Sequence, residues 1–124
     1  MTIRRTRVYI AGPMLTSGNP YCNVRDGLRV GTILMKRGYY PFIPHLTAVW
    51  EMASSEDFTY EDWLALDFQS IGMSDALLRL PGDSRGADRE IAEARRLGIP
   101  VYYSLDTLLA GMLSTKEIAD APRG

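Results

Sequence analysis

The chain predicts an α/β fold of three layers, a mainly parallel sheet of four to five strands flanked by helices. Three observations carry that prediction. Short apolar runs at residues 6–11, 39–43, 76–80 and 99–103 alternate with longer segments of helical periodicity. The intervening segments are long enough for the right-handed crossovers that parallel neighbours require. Glycine or proline punctuates the junctions, at Gly12-Pro13, Gly38, Pro81-Gly82 and Gly98. The length of 124 residues suits a single domain over 1–124 with one core.

The first strand, Thr6 to Ala11, is ended by Gly12-Pro13, which cannot continue a ladder. From about Tyr21 to Arg37 the apolar positions Val24, Leu28, Ile33 and Leu34 suit a helix, and Gly38 stops it before a second strand over Tyr39 to Ile43. Pro41 and Pro44 make that strand short or set it at an edge. The stretch from His45 to Tyr60 reads as a short helical turn around Ala48 to Ala53, then a polar connection, Ser54-Ser55-Glu56-Asp57. Thr59-Tyr60-Glu61-Asp62 has capping-box spacing with Asp in place of the usual Glu, so a helix is expected from there to about Met73. Ala76 to Leu80 is the third strand, Gly86 to Leu97 the next helix, Ile99 to Tyr103 the fourth strand and Leu105 to Met112 the last helix. The polar tail, 115–124 above all, is expected to fray. The alternation is that of a flavodoxin-like or Rossmann-like domain.

Composition bounds the function. An apolar fraction of 46% beside 23% charged residues is ordinary for a globular protein. A net charge of -1 gives no electrostatic footprint for a nucleic acid polymer and leaves small ligands. The single cysteine, Cys22, makes no internal disulfide and has no partner set for a metal, so it reads as a small buried residue in a reducing compartment. A cytoplasmic location, no metal and no cofactor are therefore expected. Arg4, Arg5 and Arg7 precede only the short apolar Val8-Tyr9-Ile10, so neither a signal peptide nor a membrane span is expected.

In an open parallel sheet, ligands gather beyond the carboxyl ends of the strands. Here those positions hold Tyr9 with Gly12, Pro13 and Met14 after the first strand, Pro44-His45 after the second, and the loop from Pro81 to Gly86 after the third. Asp83, Ser84, Arg85 and Gly86 set a hydroxyl, a cation and an unhindered backbone at one helix start, which suits a phosphate oxygen. The simpler alternative is that Ser84 or Asp83 only caps the helix. At about 100° per residue, Ala87, Ile91, Ala94 and Gly98 form the buried stripe of that helix, and Glu90 lies at its edge, whereas Arg89, Glu93 and Arg96 point elsewhere. A solvating glutamate belongs on the outer face, so Glu90 is either paired inside the fold or lines a cleft, and the cleft is favoured. The helix dipole and the free N–H groups of the first turn are expected to hold it ionised, as an anionic nucleophile. His45 either stacks on or hydrogen-bonds a ligand, with Trp50 and Trp63 as aromatic walls, or is a packed side chain; alone, it is no metal site. The two tryptophans are more simply read as core or dimer-contact residues than as platforms for a ligand.

Tyr9-Ile10-Ala11-Gly12-Pro13-Met14, Asp67, and Ser84 six positions ahead of Glu90 together resemble the nucleoside 2-deoxyribosyltransferase superfamily over residues 6–103. The likeness is greatest to the 2'-deoxynucleoside 5'-monophosphate N-glycosidases and related small phage and bacterial proteins. The resemblance implies that Glu90 attacks the anomeric carbon, that Asp67 contacts the sugar or assists the departing base, and that Tyr9 orients the nucleophile. In transferases of free nucleosides the position of Ser84 is typically aspartate, and in the monophosphate hydrolases it is serine. An aspartate would face a phosphate with like charge, whereas serine donates a hydrogen bond. One departure stands: the hydrolases often carry a basic residue shortly after the first glycine loop, where this chain has Met14, Leu15 and Thr16. The implied activity is hydrolysis of a (deoxy)nucleoside 5'-monophosphate to free base and (deoxy)ribose 5-phosphate. Deoxyribosyl transfer and a non-catalytic nucleotide-binding module are the alternatives, and Glu90 separates the last, since an unpaired carboxylate weakens anion binding but serves a glycosidase. A phosphoacceptor domain would need acids at the end of the first strand, and Ala11-Gly12-Pro13 has none. The resemblance further implies a homodimer or higher assembly, with Trp50 to Phe58 as a contact region.

Overall fold

Side chains alternate across a strand, and the first strand, β1 (Arg7–Ala11), is buried on both faces, so its residues are divided between two cores. In the computed structural model, which describes residues 5–15 and 18–112, β1 is followed by α1 (Pro20–Lys36), β2 (Tyr40–Phe42), α2 (Leu46–Ala53), α3 (Tyr60–Gly72), β3 (Ala76–Arg79), α4 (Arg85–Arg96), β4 (Val101–Tyr102) and α5 (Leu105–Gly111). Every pairing is parallel, in the order β2-β1-β3-β4, giving the expected α/β fold with four strands among the described residues. The tail expected to fray lies outside the described residues.

Val8 and Ile10 face one layer with Leu34, Tyr39, Ala76, Leu78 and Leu108, beneath α1 and α5. Tyr9 and Ala11 face the other with Ile71, Leu77, Ala87, Ile91 and Ala94, beneath α3 and α4. Strand order reverses between β1 and β3, because the chain leaves β1 for β2 on one side and returns to β3 on the other. The crevice at that reversal, above the carboxyl ends of β1 and β3, is where such sheets bind ligands.

Local chemistry explains most boundaries. Asn19 caps α1 through its side chain, Pro20 supplies the fixed first position, and Thr59 and Asp62 close the expected capping box of α3 at 3.1 and 2.8 Å. Pro41 confines β2 to an edge of three residues, and β4 is shorter still than residues 99–103 promised.

Two expectations about buried faces are corrected. In α1 the buried positions are Gly27, Gly31 and Leu34, whereas Leu28 and Ile33 are exposed. Glycine is needed there because a Cβ at Gly27 would come within 2.9 Å of the His45 ring. Gly98 is not part of the α4 stripe. It lies exposed beyond the helix at φ +75°, where the left-handed conformation ends the helix and only glycine is unstrained.

Candidate active site

Four segments converge on one cavity of about 140 Å³ above the β1/β3 crevice. The β1–α1 loop contributes Met14 and Leu15, α3 contributes Tyr60, Trp63, Leu64 and Asp67, and the start of α4 contributes Ser84, Gly86 and Glu90, with Thr47, Ala48 and Glu51 of α2 closing the remaining wall. The spacing 60, 63, 64, 67 is one face of a helix, so α3 presents Asp67 and the aromatic wall together.

Asp67 and Glu90 are 4% and 2% exposed, too buried to be solvating acids. Tyr9, on the α3/α4 face of β1, sets its hydroxyl against both carboxyls and acts on the protons of each, and Asp67 acts on that of Glu90. Tyr9 Oη, Asp67 Oδ1 and Glu90 Oε2 are sealed from solvent and close no hydrogen bond of ordinary geometry among the described residues. Burial dominates their protonation. It pushes Glu90 from 4.5 up to about 8, against the pull of Tyr9 and Arg79 and with a further rise from Asp67. It raises Asp67 from 3.8 to about 7, opposed by Tyr9. The Tyr9 phenol, buried beside two acids, is pushed well above 10.

Glu90 therefore does not sit as the dipole-stabilised anion that its place in the sequence suggested. Arg85 is the first residue of α4, so Glu90 lies beyond the first turn, where the dipole has faded and desolvation wins.

The mouth of the cavity is built around Gly86. A Cβ there would stand 3.8 Å from the Tyr60 hydroxyl and 3.9 Å from both Glu90 Oε1 and Ser84 Oγ, so glycine keeps open the space where these three oxygens meet. Ser84 caps α4: its Oγ accepts from the Ala87 N–H at 3.1 Å, which leaves its own proton free to donate. Capping and ligand binding are thus compatible in one residue. Arg89 lies 5.7 Å over the Tyr60 ring and 3.6 Å from Glu61, bracing α3 against α4. Asn23 Nδ2 donates to the Met14 carbonyl at 3.0 Å and fixes the loop.

The other expected site residues fall elsewhere. Gly12 and Pro13 pack behind the wall, Gly12 against Leu80 and His45, Pro13 against Gly82, whose φ of +111° turns the β3–α4 loop. Asp83, on that loop, and Arg85, at the start of α4, are exposed and do not line the cavity. His45 is fully buried between Gly12 and Gly27, away from the cavity wall, and burial holds its pKa down at about 4. The ring is packed, but neither of its nitrogens closes a hydrogen bond of ordinary geometry among the described residues. Trp63 lines the cavity, whereas Trp50 backs it edge-on at 5.1 Å. Tyr60 and Leu64 were not singled out from sequence, although helical periodicity around Asp67 points to both.

Among the described residues, no group of three or more His, Cys, Asp or Glu side chains could hold a metal, and no helix is long and apolar enough to cross a membrane. A wider depression of about 520 Å³ lies across α4, but no buried carboxyl faces it. The buried carboxyls Asp67 and Glu90 line the smaller cavity.

Comparison with known proteins agrees with this architecture. A family described as a domain of unknown function (DUF4406) matches residues 6–103. Among solved structures, a 2-deoxyribosyltransferase from the psychrotolerant bacterium Bacillus psychrosaccharolyticus shares the fold with a TM-score of 0.61 at 20% identity, over 77% of this chain and 69% of that one. No curated protein matches the chain.

Proposed function

We propose that this chain, which belongs to the DUF4406 family, hydrolyses the N-glycosidic bond of a (deoxy)nucleoside 5'-monophosphate. The observation that carries this reading is the pair of buried carboxyls, Asp67 and Glu90, both against the Tyr9 hydroxyl and both lining one cavity beyond the strand ends. Its likeness in fold to a 2-deoxyribosyltransferase supports chemistry at an anomeric carbon.

Two acids whose pKa values are raised to about 7 and about 8 share close to one proton near neutral pH. That is the state glycoside cleavage needs, one carboxylate and one carboxylic acid. As the C1'–N bond lengthens, positive charge grows on the sugar beside Glu90 and favours its ionised form, so the shared proton passes to Asp67. Glu90 then forms a bond to C1' while the bonding pair leaves with the base, which takes the proton from Asp67. Water attacks C1', gives its proton to Asp67 and releases Glu90 as the carboxylate. The sum is nucleotide plus water to base plus sugar 5-phosphate. Ser84 Oγ–H and the N–H of Gly86, which precedes the helical bonding pattern of α4, receive the phosphate.

Incubation with nucleoside 5'-monophosphates and nucleosides, followed by chromatography, reads this directly. Free base should appear from monophosphates and vanish with Glu90→Gln; equal release by that variant overturns the assignment. Transfer is the other outcome of the same assay, seen as a new nucleotide when a second free base is added. Self-association through the exposed Trp50, Met52 and Phe58 is part of the proposal and is read by sedimentation.

A further inference from the structure

The depression across α4 has a chemistry of its own. Asp88, Ile91 and Arg95 line it from one face of α4, Arg79 from the end of β3, and Tyr103 from the end of β4, so it too lies beyond the carboxyl ends of strands. Its volume of about 520 Å³ is in the range that holds a small metabolite. Two guanidinium groups face it against one carboxylate, that of Asp88, which is 73% exposed and 3.7 Å from Arg79. Arg79 is only 11% exposed and held in place by donating to the Leu80 carbonyl and, at 2.8 Å, to the Gly82 carbonyl. A guanidinium has five N–H donors, so a prepositioned, desolvated cation keeps donors to spare. Arg95 donates to the Tyr103 hydroxyl at 2.8 Å, a neutral partner that leaves its charge uncompensated.

We infer that this depression is a second ligand site, for a small phosphomonoester, with Arg79 and Arg95 gripping the phosphate and the half-exposed Tyr103 ring flanking the rest of the molecule. Paired guanidinium forks match a dianionic phosphate better than a single carboxylate does, and the buried Arg79 meets it without the cost of ordering a free side chain. The site stands independently of the reading proposed for the other cavity.

Calorimetric titration of the full chain with ribose 5-phosphate, inorganic phosphate and ribose tests the inference. Saturable binding is expected for the first two and none for ribose; tighter binding of the sugar phosphate identifies a phosphorylated metabolite, and equal binding identifies phosphate itself. Arg95→Ala should weaken this component by about tenfold or more, as loss of a charge-assisted hydrogen bond does. Arg95→Lys should fall between, and Ser84→Ala should leave it intact. Circular dichroism checks that each variant folds. Absence of saturable binding, or binding that survives Arg95→Ala and disappears in Ser84→Ala, overturns the inference.

Discussion

Replacing Glu90 by glutamine should stabilise this protein, by an amount that grows as pH rises from about 4.5 to about 8 and then levels off. Glu90 is 2% exposed, and its pKa is raised by burial from 4.5 to about 8. The folded state therefore binds the proton more tightly than the unfolded chain. The contribution is most favourable below pH 4.5 and is lost as pH rises through about 8, above which the native state carries a buried carboxylate. At about 1.4 kcal/mol per tenfold change, that interval has an upper bound of about 5 kcal/mol, and relaxation around the charge leaves roughly 2–4 kcal/mol. Glutamine is isosteric with the neutral acid and carries no charge. Urea denaturation of wild type and Glu90→Gln at pH 5 and pH 9 measures the effect. The two proteins should be nearly equal at pH 5, and the variant more stable by a few kcal/mol at pH 9. A difference that does not change with pH, or a less stable variant at pH 9, would refute the claim that desolvation controls this side chain.

Other consequences are equally direct. The pH profile of kcat/KM should be a narrow bell with limbs near 7 and 8, since the acid pair must hold one proton; a flat profile from pH 5 to 9 would contradict proton sharing. Gly86→Ala meets only ordinary contacts at 3.8–3.9 Å and gains helix propensity of about 1 kcal/mol, yet it occupies the mouth of the cavity. Thermal unfolding should rise while kcat/KM falls by about tenfold or more; unchanged turnover would remove Gly86 from the site. Ser84→Ala should cost about 1 kcal/mol of stability as a lost cap and reduce monophosphate turnover more than nucleoside turnover. An equal loss on both substrates would dismiss the phosphate contact.

The fold was legible because its signals are local. Apolar runs separated by helical segments, Thr59-Asp62 at a helix start, and Gly38 and Gly98 at helix ends each act within a few residues. Misreadings arose where tertiary contact decides. The inner face of α1 follows from the His45 ring and Ile43, which need Gly27 and Gly31, and no periodicity of large apolar residues reveals that. Residues 46–53 form a full helix because Ala48 is buried by the fold and His45 anchors its start, features invisible in the segment alone. For the site, helical spacing put Glu90 at the buried edge, and resemblance added Asp67 and Tyr9. Spacing gave no measure of desolvation, which overrides the helix dipole, nor did it separate His45, behind the wall, from Trp63, in it.

The central claim is that Glu90 attacks the anomeric carbon. Mass spectrometry of the peptide spanning residues 90–95, after reaction with a 2'-fluoro-arabino nucleoside 5'-monophosphate that slows release of the glycosyl group, tests it most directly. The account predicts a sugar-phosphate adduct on Glu90 formed in step with one equivalent of free base. Release of base with the peptide unmodified and the adduct on Asp67 would contradict it.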